Sequence, residues 1–321
     1  MRHGVEDSPG ISNSVSTCDA AHQSEQGAQP AALTVSKSNL RATLKCTGQN
    51  NKFVPGGGKN VCAGKANATV QACSTNSPPG QQEVLTGLLG ASTGVVWEQK
   101  SPVPEVGEEW SLELDESQLP LEDTTFFVGC QNGGKTSNCR LDITVQARSS
   151  SVESNVVKCA YGQHSNPQPL QVELTHDNNA LTLECGSNHV LEPTNYSTNY
   201  CEDGTLTTCT KSFKEVLPNF TDSWWTEGSK PKESAKLTIP PREFPAADFK
   251  FYVGCKLAKE NAGGQAVSRG QSEPQPQAEP SPCRVLVTVK AAGLATRAST
   301  SSMAASVAGA AAISGYLVGL F

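Results

Sequence analysis

The stretch TTFFVGCQ (124–131) returns as DFKFYVGCK (248–256), and this pair decides the fold. Each sets aromatic and β-branched residues against polar ones and runs into Val-Gly-Cys. Alternation with a period of two marks a strand with one buried face. Working outward, NCRLDITVQA (138–147) matches PCRVLVTVKA (282–291), and NLRATLKCTG (39–48) matches NALTLECGSN (179–188). The repeat distance is roughly 140 residues, the size of a whole domain. The chain is therefore read as a tandem pair and not as a solenoid.

The twelve cysteines divide the same way. The first six are Cys18, Cys46, Cys62, Cys73, Cys130 and Cys139. The second six are Cys159, Cys185, Cys201, Cys209, Cys255 and Cys283. Even counts in a duplicated pattern read as disulfide frameworks. Such frameworks persist outside the reducing cytosol, so the chain is expected to be extracellular. Spacing alone leaves about 15 connectivities open per domain.

Short runs of Val, Thr, Leu and aromatics between Pro and Gly turns predict an all-β fold of two sandwiches. In the first domain the expected strands are 31–36, 40–46, 68–72, 93–98, 110–114, 124–130 and 139–146. Their counterparts are 168–174, 179–185, 206–212, 223–227, 235–239, 249–255 and 283–290. Trp97, Trp110, Trp224 and Trp225 fall on these runs and are assigned to core packing. The expected organisation is a remnant 1–17, a first domain 18–148, a linker 149–158, a second domain 159–290 and a terminal signal 291–321. The polar run 149–154 is the boundary between stacked domains that bend modestly. The Gln- and Pro-rich stretch 257–282 reads as a tolerated loop insertion.

The C-terminus carries a targeting pattern. Small residues Ala291, Ala292 and Gly293 precede a polar spacer and an apolar tail, Met303 to Phe321. That order is the arrangement of a glycosylphosphatidylinositol (GPI) attachment signal, and the three small residues are the attachment candidates. MRHGVEDSPGISNSVSTC has no apolar h-region. The expectation is an incomplete start that lacks the leader. Three sequons, at Asn67, Asn195 and Asn219, permit N-glycosylation.

The charge map is uneven, within a net charge of −6. Between Gln26 and Gln82 there is no Asp or Glu, but there are Lys37, Arg41, Lys45, Lys52, Lys59 and Lys65. From Glu83 to Asp123, ten acids face one base, Lys100. Two arrangements follow. The early half could present a basic face that attracts polyanions, or a dimer surface, since screening confines fields to about 8 Å. Alternatively, basic and acidic strands lie side by side as cross-strand pairs, each worth little.

Catalytic readings fare poorly, and no enzyme activity is expected. His3, His22, His164, His176 and His189 sit in no metal-binding or nucleophile–base pattern and are read as solvated loop residues. GGGKN (56–60) lacks the spacing and the hydroxyl residue of a phosphate loop and reads as a turn. Neither a metal nor another cofactor nor a nucleic acid is called for.

Taken together, the two six-cysteine domains, the FFVGC and FYVGC strands, the closing CRLDITV and CRVLVTV strands and the tail resemble the SRS surface antigens. These are coat proteins of Toxoplasma and related coccidian parasites. The gamete-surface six-cysteine proteins of malaria parasites share the sandwich and cysteine logic, but the tandem VGC strands favour the coccidian branch. The resemblance implies disulfides joining cysteines one to six, two to five and three to four. Carried over, these are Cys18–Cys139, Cys46–Cys130 and Cys62–Cys73, then Cys159–Cys283, Cys185–Cys255 and Cys201–Cys209. It also implies a GPI-anchored cell-surface protein engaged in host-cell attachment, with host sulfated glycans, host antibodies and a first-domain homodimer as partners. The alternative is a display or immunomodulatory coat protein without a dedicated glycan. The six early bases are the glycan-binding candidates.

Overall fold

The computed structural model describes residues 14–19, 31–65, 67–103, 107–134, 138–228, 233–258 and 281–292. In the first domain the strands are β1 (Val15–Asp19), β2 (Ala31–Val35), β3 (Arg41–Thr47), β4 (Lys52–Val54), β5 (Asn60–Ala63), β6 (Gln82–Val84), β7 (Trp97–Val103), β8 (Gly107–Glu113), β9 (Thr124–Gln131) and β10 (Asn138–Val145). One sheet runs β1-β3-β8-β7. The other runs β2-β10-β9-β5-β6, with β4 also on β9.

The second domain repeats this plan. Its strands are β11 (Ser151–Glu153), β12 (Val156–Lys158), β13 (Leu170–Leu174), β14 (Ala180–Glu184), β15 (His189–Glu192), β16 (Asn199–Tyr200), β17 (Lys211–Ser212), β18 (Trp225–Glu227), β19 (Ser234–Thr238), β20 (Phe249–Leu257) and β21 (Cys283–Val289). Here the sheets run β11-β12-β14-β19-β18 and β13-β21-β20-β15. The duplication extends to strand sense: β1 joins β3 and β12 joins β14 in parallel, as β2 does β10 and β13 does β21.

Alternation explains the packing. On β3, Ala42, Leu44 and Cys46 are buried while Arg41 faces solvent. On β21, Cys283, Val285, Val287 and Val289 all point inward. β9 differs, because six successive residues from Phe126 are buried. Its second face is covered by a short helix, α1 (Val70–Ser74), whose Val70 and Cys73 pack on Phe127. The expected strand 68–72 is thus replaced by this helix, capped where Ala72 N–H donates to Thr69 Oγ1 at 3.1 Å.

Two further expectations change. The stretch 149–158 is no free linker: β11 and β12 form a hairpin, and β12 extends the second domain's sheet beside β14. The expected strand 206–212 shrinks to β17, which pairs with β16 across the Cys201–Cys209 loop. Trp97, Trp110 and Trp225 are buried on strands, whereas Trp224 lies in a single helical turn just before β18.

Candidate functional site

All twelve cysteines are bonded, in the nested order one to six, two to five, three to four within each domain. Strand register places them. Cys18 sits opposite Cys46 on β1 and β3, and Cys130 opposite Cys139 on β9 and β10. Each sheet contributes a neighbouring pair, so two bridges cross the sandwich side by side. In the second domain Cys255 and Cys283 are likewise opposite each other.

The early bases do not make a separate basic face. β3 and β8 are antiparallel, with Arg41 opposite Glu113 and Lys45 opposite Glu109. The charged groups meet at 2.8 Å and 3.2 Å. Between them Thr43 and Ser111 lie side by side, their hydroxyls 3.4 Å apart. Lys37 pairs with Glu116 at 3.1 Å and Lys52 with Glu108 at 2.9 Å. Lys100 on β7 adds contacts to Glu98 and Glu113. Four of the six candidates are therefore neutralised one for one. Their side chains are 41–68% exposed, so these pairs contribute little stability but cancel the local field. Lys65 hydrogen-bonds Gln81, an uncharged partner. Lys59 is exposed at the turn before β5.

Glu108 is the acid that matters structurally. Besides Lys52, it accepts from Phe53 N–H and from Trp110 Nε1, both at 3.0 Å. Burial opposes its ionisation, but these three hydrogen bonds outweigh that and hold the carboxyl below its ordinary value. Phe53 in turn stacks on Trp110, ring centroids 4.6 Å apart. A residue of β8 thus grips a strand of the opposite sheet.

The three sequon asparagines are exposed. Asn67 has φ 62°, Asn195 stands at a turn where its carbonyl accepts from Thr198 and Asn199, and Asn219 Nδ2 donates to Glu243 at 2.9 Å. Ala291 and Ala292 are the tied end of the second domain: their N–H groups donate to Asp248 and to the Pro245 carbonyl. Gly293 and the apolar tail lie outside the described residues, as do His3, His22 and most of the 257–282 insertion. Among the described residues no helix is long and apolar enough to cross a membrane, and no cluster of three metal-binding side chains occurs.

His189 contradicts its assignment to a solvated loop. It opens β15 and its side chain is 1% exposed. Its ring stacks on Tyr161, centroids 3.5 Å apart. Nothing in the sequence around it signals burial, because the covering loop comes from the other domain. Leu121 of that loop packs on the second domain's core, and its carbonyl accepts Tyr161 N–H at 2.7 Å. Asp123 accepts from Ala147 N–H at 2.7 Å and from Gln163 N–H at 2.9 Å, bridging the domains.

The SRS domain family matches the chain twice, over residues 14–145 and 155–289. The chain belongs to the SRS domain family. A solved structure, the bradyzoite-specific antigen BSR4 of Toxoplasma gondii, is 35% identical, with 88% of this chain and 96% of that one covered and a TM-score of 0.70. SporoSAG of Toxoplasma gondii is 18% identical over 81% of this chain and 96% of its own, with a TM-score of 0.28. Pf12p of Plasmodium falciparum is 11% identical over 85% and 98%, with a TM-score of 0.26. None of the curated proteins matches significantly. SRS proteins are parasite surface antigens, and this chain has their disulfide-stabilised tandem sandwich.

Proposed function

We propose that this protein is a GPI-anchored coat antigen whose first domain serves display and does not bind sulfated glycans through its early bases. The observation that carries this is the in-register ladder Arg41–Glu113 and Lys45–Glu109, which cancels the charge that a polyanion would seek. The anchor is supported by the small triplet, polar spacer and apolar tail. Host antibodies are then the partners that matter most, and the exposed sequons are sites where glycans would shield the surface.

Adhesion is the second reading. Lys59 and Lys65 favour it, because no acidic partner faces either among the described residues. A first-domain homodimer would add a second copy of both. Heparin chromatography of the full chain separates the two readings. Display predicts elution below physiological salt, with no change for K59A/K65A. Retention above physiological salt that is lost in K59A/K65A would overturn it and establish adhesion.

A further inference from the structure

The described residues of the domain joint surround a cleft of about 700 Å³, lined in part by Leu121, Glu122, Asp123, Arg148, His189 and Glu233. His189 is a buried titratable group of this joint, and neither the display nor the adhesion reading uses it. Its Nδ1 lies 2.8 Å from the Ser187 carbonyl. A carbonyl only accepts, so Nδ1 carries the proton and Nε2 of the neutral ring presents a lone pair. That Nε2 has no hydrogen-bond partner and stands 3.5 Å from Glu122 Oε1 of the first domain. Neutral, the ring is a stacked apolar plate against the first domain's Leu121–Asp123 loop.

We propose that His189 makes the domain joint acid-sensitive: protonation of its ring weakens the docking of the Leu121–Asp123 loop on the second domain. Two groups decide the sign. Burial beneath the docked loop resists the positive charge, while the Glu122 carboxylate favours it. Glu122 is 45% exposed, so water screens its attraction, whereas the imidazole is almost fully enclosed. Consistently, burial outweighs the Ser187 hydrogen bond and Glu122, and the ring is held below the ordinary histidine value. Tyr161 offers no proton in this range, since burial, and then Glu122, raises its hydroxyl, which donates to the Cys185 carbonyl. Arg148 lines the cleft and adds a positive charge. Glu233 adds a negative one.

The linkage sign follows from the near-complete enclosure of the ring in the docked joint. Docking strength is intact above the undocked ring's pKa and declines as pH falls through it. With an undocked value of about 6.5, the docking constant falls between pH 7.5 and 5.5 by a factor that cannot exceed about ten.

Native-state hydrogen exchange on the full chain tests this directly. The amides of Tyr161 and Gln163 bond across the joint to Leu121 and Asp123, so their protection reports its opening. Expected is a drop in protection of up to about tenfold at these two amides from pH 7.5 to 5.5, absent in H189Q. Unchanged protection in the wild-type chain, or the same drop in H189Q, overturns the proposal. Should H189Q fail to fold, an NMR titration of the wild-type His189 ring decides: a pKa at or above about 6.5 overturns it, and one below supports it.

Discussion

Replacing Glu108 with Ala should destabilise the first domain more than removing any of its exposed ion pairs. The carboxylate binds a backbone N–H and an indole N–H at 3.0 Å each, and its side chain is only 15% exposed. A hydrogen bond to a charged group contributes about 1.5–3 kcal/mol, and truncation leaves both donors unpaired. Two such losses sum to about 3–6 kcal/mol. For a domain of this size that lowers the melting transition by roughly 10–20 °C. K52A removes only an exposed lysine, whose pair is worth about 1 kcal/mol at most. E108Q keeps an acceptor oxygen and falls between the two. Differential scanning calorimetry of the full chain, following the first domain's transition, ranks the three variants. The pH dependence has a definite sign. The folded carboxyl lies below its ordinary value, so the contribution is complete above the unfolded value of about 4.3 and is lost as pH falls through the folded one. An E108A chain no less stable than K52A would refute this account of how the sheets are joined.

The disulfides should differ in worth by the loops they close. Cys46–Cys130 spans 84 residues and Cys62–Cys73 spans 11, so chain entropy assigns about 4.6 against about 2.8 kcal/mol. Urea unfolding of C46A/C130A and C62A/C73A should show the former weaker by about 2 kcal/mol. A Gly186→Ala change tests the joint by sterics. Gly186 has φ +82°, and a Cβ there would lie 2.6 Å from Leu121 Cδ1. Left-handed backbone alone costs alanine about 1–2 kcal/mol. Exchange at the Tyr161 amide should therefore quicken at neutral pH, while a core amide such as Val287 keeps its protection.

Much of the frame was legible because alternation survives wherever one strand face is buried. β3, β9, β10, β14, β20 and β21 follow the predicted runs closely. Short strands escaped: β4, β5, β6, β11, β12 and β15 hold only three or four residues each, too few for a period of two to stand out. The 68–72 run looked like a strand because its apolar residues do face a core. Thr69, however, caps a helical turn and the Cys62–Cys73 bridge holds it over Phe127. The nested disulfide order came from family resemblance; the register that sets Cys18 beside Cys46 and Cys130 beside Cys139 supplies its physical basis.

The amino-acid sequence by itself determined the duplication, the all-β class and the oxidising compartment, since these rest on local alternation and cysteine count. It also located every early base and every following acid. Only tertiary structure decided what those charges do. Charges separated along the chain become neighbours when β3 and β8 pair antiparallel, and Arg41 meets Glu113 while Lys45 meets Glu109. In the same way His189 is buried by a loop from the other domain. Both outcomes are set by long-range pairing, about which no local stretch of the chain carries information.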